Sequence, residues 1–202
     1  MFRWFALAIV SGCLGISIYH RRRARLEAGT IPRRDERPAF VAARLIVGLP
    51  LWLAILAYLV NPAWTEWASL ASPEWLRWTG VGLGFLTVPM AYWVFRSLGR
   101  NVSETVLTKP SHQLVTHGPY RWIRHPLYSM GIALVFAIGL MAENWFILLI
   151  GLVALLGIRT VVVPVEEAAL VDTFGDEYRD YMATTGRLLP RIGVPFRRGR
   201  AP

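Results

Sequence analysis

Apolar residues gather in five runs, at 2–19, 40–60, 78–95, 126–140 and 145–163, separated by stretches rich in arginine, glutamate, proline and tryptophan. A helix needs about 20 apolar residues to cross the hydrocarbon layer, so the runs predict transmembrane helices, the fourth of them short. Residues 126–163 are too many for one straight span, and Glu143 with Asn144 interrupts them. That break predicts two antiparallel helices joined by a tight turn. In the third run Gly80, Gly82, Gly84 and Pro89 permit close approach by a neighbour, most simply another helix. Beyond 163, Pro164 sets a helix start or kink, and Leu170 and Phe174, four apart, give a short apolar stripe. Gly175 should end that helix and Asp176 cap another, with Tyr178, Tyr181 and Met182 on its buried side and Arg179 and Asp180 in solvent. The pattern predicts an all-α, polytopic helical membrane protein with about five transmembrane helices.

Composition agrees: 54% of the 202 residues are hydrophobic and 17% charged, with a mean hydropathy of +0.41, too apolar for a soluble domain. The net charge of +9 is almost wholly arginine, Lys109 being the only lysine, and it lies between the runs rather than on one face. Nucleic-acid binding is therefore not expected. A single cysteine, Cys13, excludes a disulfide framework. The loop at 20–38 holds seven arginines, whereas 61–77 has only Arg77 against Glu66 and Glu74. Positive residues stay inside, which places 20–38, 112–124 and the chain from 166 onward in the cytoplasm and Glu143 outside. Trp64, Trp67, Trp75 and Trp78 then mark the outer interface. A VSGC sequence ending at Cys13 loosely resembles a lipoprotein processing site, but the apolar run continues to Tyr19 and arginines follow, so a retained span is expected. The chain reads as one multi-pass membrane domain, expected in a bacterial inner membrane: two helices and loops at 1–77, a core at 78–191 and a basic tail at 192–202.

Two polar constellations interrupt this apolar background. The first, HQLVTHGPYRWIRHPLY at 112–128, brings Arg124 and His125 to a helix start set by Pro126, a seat for an anion at the membrane interface. The second, Glu166 with Glu167, follows the fifth run and Pro164. On spacing alone these carboxylates serve a helix dipole and nearby arginines as readily as they serve a ligand. His112, His117 and His125 are five and eight residues apart, with Pro119 and Pro126 between them, so they form no compact helical pair and no metal site is expected.

The order HQLV, GPYRWIRHPLY, an apolar hairpin, EEAAL, FGDEYRDY and LLP, over roughly 78–191, resembles the isoprenylcysteine carboxyl methyltransferase family and its phospholipid methyltransferase relatives. RHP alone also occurs in membrane steroid reductases; RHPLY followed at this distance by EE and FGxxYxxY is more specific. The resemblance implies a helical membrane enzyme that binds S-adenosylmethionine on the cytoplasmic side, under a C-terminal helical lid. By position it makes His112, Gln113, Leu114, Val115, Tyr120, His125, Pro126, Leu127 and Tyr128 cofactor-lining and Glu166 the cofactor-binding glutamate, with Gly82 and Gly84 as candidates for a GxG that some relatives use. Chemically, Arg124 or His125 and the amides at Pro126 suit the cofactor carboxylate, Glu166 its ammonium, and Tyr120 and Tyr128 its adenine or sulfonium. Glu167 is the candidate base if the acceptor carries a proton. Carboxyl-methylating members have an arginine four residues before the cofactor glutamate; Val162 stands there and Arg159, one turn earlier, is the candidate replacement. That displacement weakens the case for a prenylcysteine carboxylate and leaves a lipid amine, an isoprenoid or another small amphiphile entering from the bilayer. The alternatives are an NADPH-dependent reductase of the steroid-reductase type and a non-catalytic membrane protein on the same scaffold.

Overall fold

The computed structural model describes residues 1–28, 38–99 and 114–191; the segment holding His112 and Gln113 and the basic tail at 192–202 lie outside the described residues. In lipid each backbone amide must find a partner within the protein, and the apolar runs answer with helices. Helix α1 spans Phe2–Ala28, α2 Pro38–Val60, α3 Glu74–Leu98, α4 Pro126–Ala142 and α5 Trp145–Gly157. A π turn at Ile158–Val162 carries α5 directly into α6, Val163–Phe174, and α7 spans Asp176–Thr184. Phe2–Glu27, Glu74–Leu98 and the continuous Trp145–Phe174 are long and apolar enough to cross a membrane, and Leu45–Val60 and Pro126–Ala142 are shorter apolar helices.

The π turn has a local cause. Pro164 has no N–H to donate one turn back, and the helix absorbs the loss by widening: Val163 N–H bonds Ile158 O, five residues earlier. Pro164 therefore bends the register without stopping the helix. Gly175, with φ 58°, does stop it, and α7 begins at once.

Helix α3 packs most extensively against α4 and α1. A Cβ at Gly80 would fall 2.8 Å from Ala137 O on α4, and one at Gly84 would fall 2.7 Å from Ile9 Cδ1 on α1. Both glycines serve close helix packing, while Gly82 faces open space. Ile9, Ile55, Ile138, Met141 and Ile147 fill the core beside them. At the α4–α5 turn Glu143 takes a left-handed conformation, φ 51°. Asn144 caps α5 by accepting from Ile147 N–H at 2.9 Å and donates to Thr65 O at 3.2 Å. Glu143 accepts from Ser72 Oγ at 2.9 Å and pairs with Arg77 at 2.8 Å, and Arg77 lies 4.0 Å over the Phe2 ring. Trp64, Trp67, Trp75 and Trp78 remain exposed at this end.

Candidate active site

At the opposite end the chain approaches α4 through a 3-10 turn at Gly118–Arg121. Gly118 has φ 60°, and a Cβ there would collide with Ser97 Oγ at the end of α3. Pro126 opens α4 with φ already suited to a helix and no amide to satisfy. Residues 185–189, after α7, return as a strap across this start. Arg124 N–H donates to Gly186 O at 2.8 Å, His125 N–H to Arg187 O at 3.1 Å and Gly186 N–H to Trp122 O at 3.2 Å. Ser129 Oγ donates to Leu188 O at 2.6 Å. Gly186 is required at the fold in this strap, because a Cβ would strike Leu189 O.

The strap closes a polar network around the two glutamates of α6. Glu167, whose side chain is 6% exposed, pairs through Oε1 with Arg124 Nε at 2.8 Å and through Oε2 with Arg187 at 2.7 Å. His125 Nε2 lies 3.3 Å from the same Oε1. The Arg124 guanidinium is further committed to the carbonyls of Met182 and Thr185, which tie α7 to the site. Glu166 is less enclosed, at 26% side-chain exposure. Its Oε2 accepts from Tyr128 OH at 2.9 Å and lies 3.7 Å from His125 Nδ1, and among the described residues nothing bonds its Oε1. His125, itself buried, stacks on Tyr128 with ring centroids 5.8 Å apart. Behind this layer Tyr181 OH donates to Tyr120 O. Burial, ahead of neighbouring charge, pushes the phenols of Tyr120, Tyr178 and Tyr181 well above their ordinary range, so they remain neutral.

Beside the network, a cavity of about 650 Å³ lies between α4, the end of α5 and the strap. Ser129, Ile132 and Ala133 line it from α4, Leu155 and Arg159 from the α5 side, and Arg187, Leu188 and Leu189 from the strap. Its walls are mostly apolar, with Arg159 and Arg187 the charged residues of the lining.

The expected residues separate into groups. His125, Tyr128, Glu166, Glu167 and Arg124 meet in one network, Tyr120 is buried behind it, and Arg159 reaches the neighbouring cavity. Pro126 shapes the helix start, but Leu127 turns away to pack on the Phe95 and Ala24 cluster between α1 and α3. Leu114 and Val115 are half-buried in irregular chain. His112 and Gln113 lie outside the described residues. Both oxygens of Glu167, the candidate base, are paired with guanidiniums, and Arg124, a candidate for the cofactor carboxylate, is paired with Glu167 and bonded to two carbonyls. Sequence reasoning missed Arg187 and the strap that carries it; the closing LLP at 188–190 was the nearest signal.

The phospholipid methyltransferase family model matches residues 75–177. Among curated proteins, the chain is 29% identical over 143 residues to protein-S-isoprenylcysteine O-methyltransferase of Tribolium castaneum, covering 62% of this chain and 44% of that protein. It is 33% identical over 69 residues to the uncharacterized protein YpbQ of Bacillus subtilis (strain 168), covering 34% of this chain and 41% of that one. The chain thus spans about two fifths of the length of these relatives. Among solved structures, a eukaryotic intramembrane Ras methyltransferase, isoprenylcysteine carboxyl methyltransferase, superposes with a TM-score of 0.57 at 22% identity, over 93% of this chain and 68% of that one. That superposition speaks for a shared fold.

Proposed function

The chain belongs to the phospholipid methyltransferase family, and from that premise we propose that it is an integral membrane methyltransferase using S-adenosylmethionine and a lipid-like or small amphiphilic acceptor. The observation that carries this reading is Glu166, a partly exposed carboxylate fixed by Tyr128 and His125 with one oxygen left open. That donor set fits the cofactor: the open oxygen suits its ammonium, and the helix start at Pro126 suits its carboxylate. When bound, S-adenosylmethionine supplies a methyl group on an electron-poor sulfonium. Tyr128 holds the Glu166 carboxylate in place, and the His125–Tyr128 stack holds Tyr128. Glu167, Arg124 and Arg187 fix the strap over the site, which excludes water from a displacement that depends on alignment.

The acceptor belongs in the adjoining cavity. Ile132, Ala133, Leu155 and Leu188 offer apolar walls to a chain, while Arg159 and Arg187 attract a negatively charged head. With Glu167 committed to ion pairs and Glu166 assigned to the cofactor, no further carboxylate among the described residues of the site is placed to deprotonate a thiol or an ammonium. An acceptor whose oxygen is already anionic at neutral pH needs none, which favours it over a lipid amine. The arginine distribution supports a site on the cytoplasmic side, with the five apolar helices crossing the bilayer. The family match and the methyltransferase relatives support this reading over a nicotinamide-dependent reductase.

Calorimetric binding of S-adenosylmethionine, S-adenosylhomocysteine and NADPH to detergent-purified protein tests it, with Glu166→Ala as control. Saturable binding of the first two, lost in the variant, is expected. Binding of NADPH alone would overturn the proposal in favour of a reductase.

A further inference from the structure

Helix α1 carries an arginine cluster that the catalytic reading leaves unused. Its C-terminal end lies on the same side of the molecule as the site, since Ala24 packs with Phe95 and Leu127 at the start of α4. On its outer face a cleft of about 510 Å³ is lined by Gly15, Ile18, Tyr19, Arg22, Arg23 and Leu26. Gly15, Ile18, Tyr19 and Arg22 recur at three- and four-residue steps and are exposed, so they form one stripe facing away from the core. From Gly15 to Arg22 the stripe rises about 10 Å, from an apolar notch to a cation. A Cβ at Gly15 would meet nothing within 4 Å, so the notch is open.

The two guanidiniums differ. Arg23 is shared with Glu27 at 2.7 Å, while Arg22 has no hydrogen-bond or ion-pair partner among the described residues. Arg21 and Arg25 flank them, and Glu27 is the only carboxylate in residues 15–28. A zwitterionic head would bring its own cation into this positive field, whereas a net-negative head would not. We infer that this face of α1 is a binding site for one anionic phospholipid, with the phosphate at Arg22 and Arg23, the glycerol region beside Tyr19 and an acyl chain along Ile18 and the Gly15 notch. The site lies outside the methyl-transfer machinery and does not depend on how that machinery is read.

The test is native mass spectrometry of the full chain in detergent micelles titrated with dioleoylphosphatidylglycerol or dioleoylphosphatidylcholine. Saturable retention of one phosphatidylglycerol per protein, in preference to phosphatidylcholine, is expected. Each basic residue near an anionic head is worth roughly fivefold, so with Arg23 shared R22Q/R23Q should weaken retention roughly tenfold. Gly15→Leu fills the notch without changing charge and keeps a good helix former, and it should weaken retention several-fold by displacing the acyl chain. Equal retention of the two lipids, or an unchanged R22Q/R23Q variant, would overturn the inference. So would loss in R22Q/R23Q matched by Arg25→Gln and absent in Gly15→Leu, since that pattern marks a diffuse field rather than a site.

Discussion

Both ends of the helical bundle are closed by a glutamate paired with an arginine, and the two closures differ in what they leave open. At the α4–α5 turn Glu143 has Ser72 on one oxygen and Arg77 on the other, and Arg77 also donates to Met141 O at 3.2 Å. Each group there is consumed in holding α3 against the turn. At the start of α4, Glu167 is consumed in the same way by Arg124 and Arg187, but Glu166 beside it keeps a free oxygen and partial exposure. A buried, fully paired carboxylate is a fastener; a carboxylate held in position with unused acceptor capacity is a ligand site. On the proposed function the site end contains one of each, in consecutive residues.

The sharpest way to break this comparison is to exchange the expected behaviour of the two neighbours. Glu167→Ala leaves Arg124 and Arg187 facing each other without their shared carboxylate, a loss expected to cost about 3–5 kcal/mol. It should appear as a lower melting temperature in detergent and early proteolysis after α6. If Glu167 were instead a proton acceptor, the variant would melt normally and lose turnover with a changed pH profile. Glu166→Gln should do the reverse. Loss of a charge-assisted hydrogen bond to the cofactor ammonium costs about 1.5–3 kcal/mol, or roughly 10- to 100-fold in Kd for S-adenosylmethionine, with melting little changed. A Glu166 variant that unfolds while binding normally would erase the distinction. At the far end, Asn144→Ala removes a helix cap and a buried hydrogen bond to Thr65 O, about 2 kcal/mol together. It should lower the melting temperature and leave cofactor affinity unchanged, because no cofactor contact is expected there.

The two ends were not equally legible in the sequence. The turn at Glu143 and Asn144 is a polar break in an apolar run, and hydrophobic patterning locates it directly. Gly175, Tyr178 and the solvated Arg179 and Asp180 also fall where periodicity puts them. At the site, patterning brought the RHPLY segment and the glutamate pair to one membrane face but could not divide labour within the pair. Successive helical residues point about 100° apart, and which one meets the arginines depends on the phase of α6, which the π turn before Pro164 resets. Arg187 was illegible for another reason. It sits 20 residues beyond Glu167, past two helix ends, and its approach follows from strap hydrogen bonds that leave no periodic trace. Leu127 shows the converse limit: adjacency to Tyr128 in a motif says nothing about which face of the first turn it occupies.

The smallest effect concerns how the site end is sealed. Tyr178 is buried, and burial first, with the charge of Glu167 adding to it, raises its phenol above the ordinary value of 10.0. Because the folded state resists ionisation, this stabilisation is constant below about pH 10, where the phenol is neutral in both states. As pH climbs from there through the raised folded-state value, the unfolded chain ionises first and gains, and stability falls. Tyr181 carries a shift in the same direction from the same cause. Melting temperature should therefore hold between pH 8 and about 10 and decline above it, and Tyr178→Phe should make the decline shallower without restoring it fully. The decline should fall first on the strap, since Tyr181 donates to Tyr120 O and α7 is tied to Arg124 through the Met182 and Thr185 carbonyls. Limited proteolysis at pH 10.5 that cuts the chain after α6 before it touches the α4–α5 turn would place the weaker seal at the end proposed to admit a ligand. Simultaneous cleavage at both ends would mean that the two closures are mechanically one.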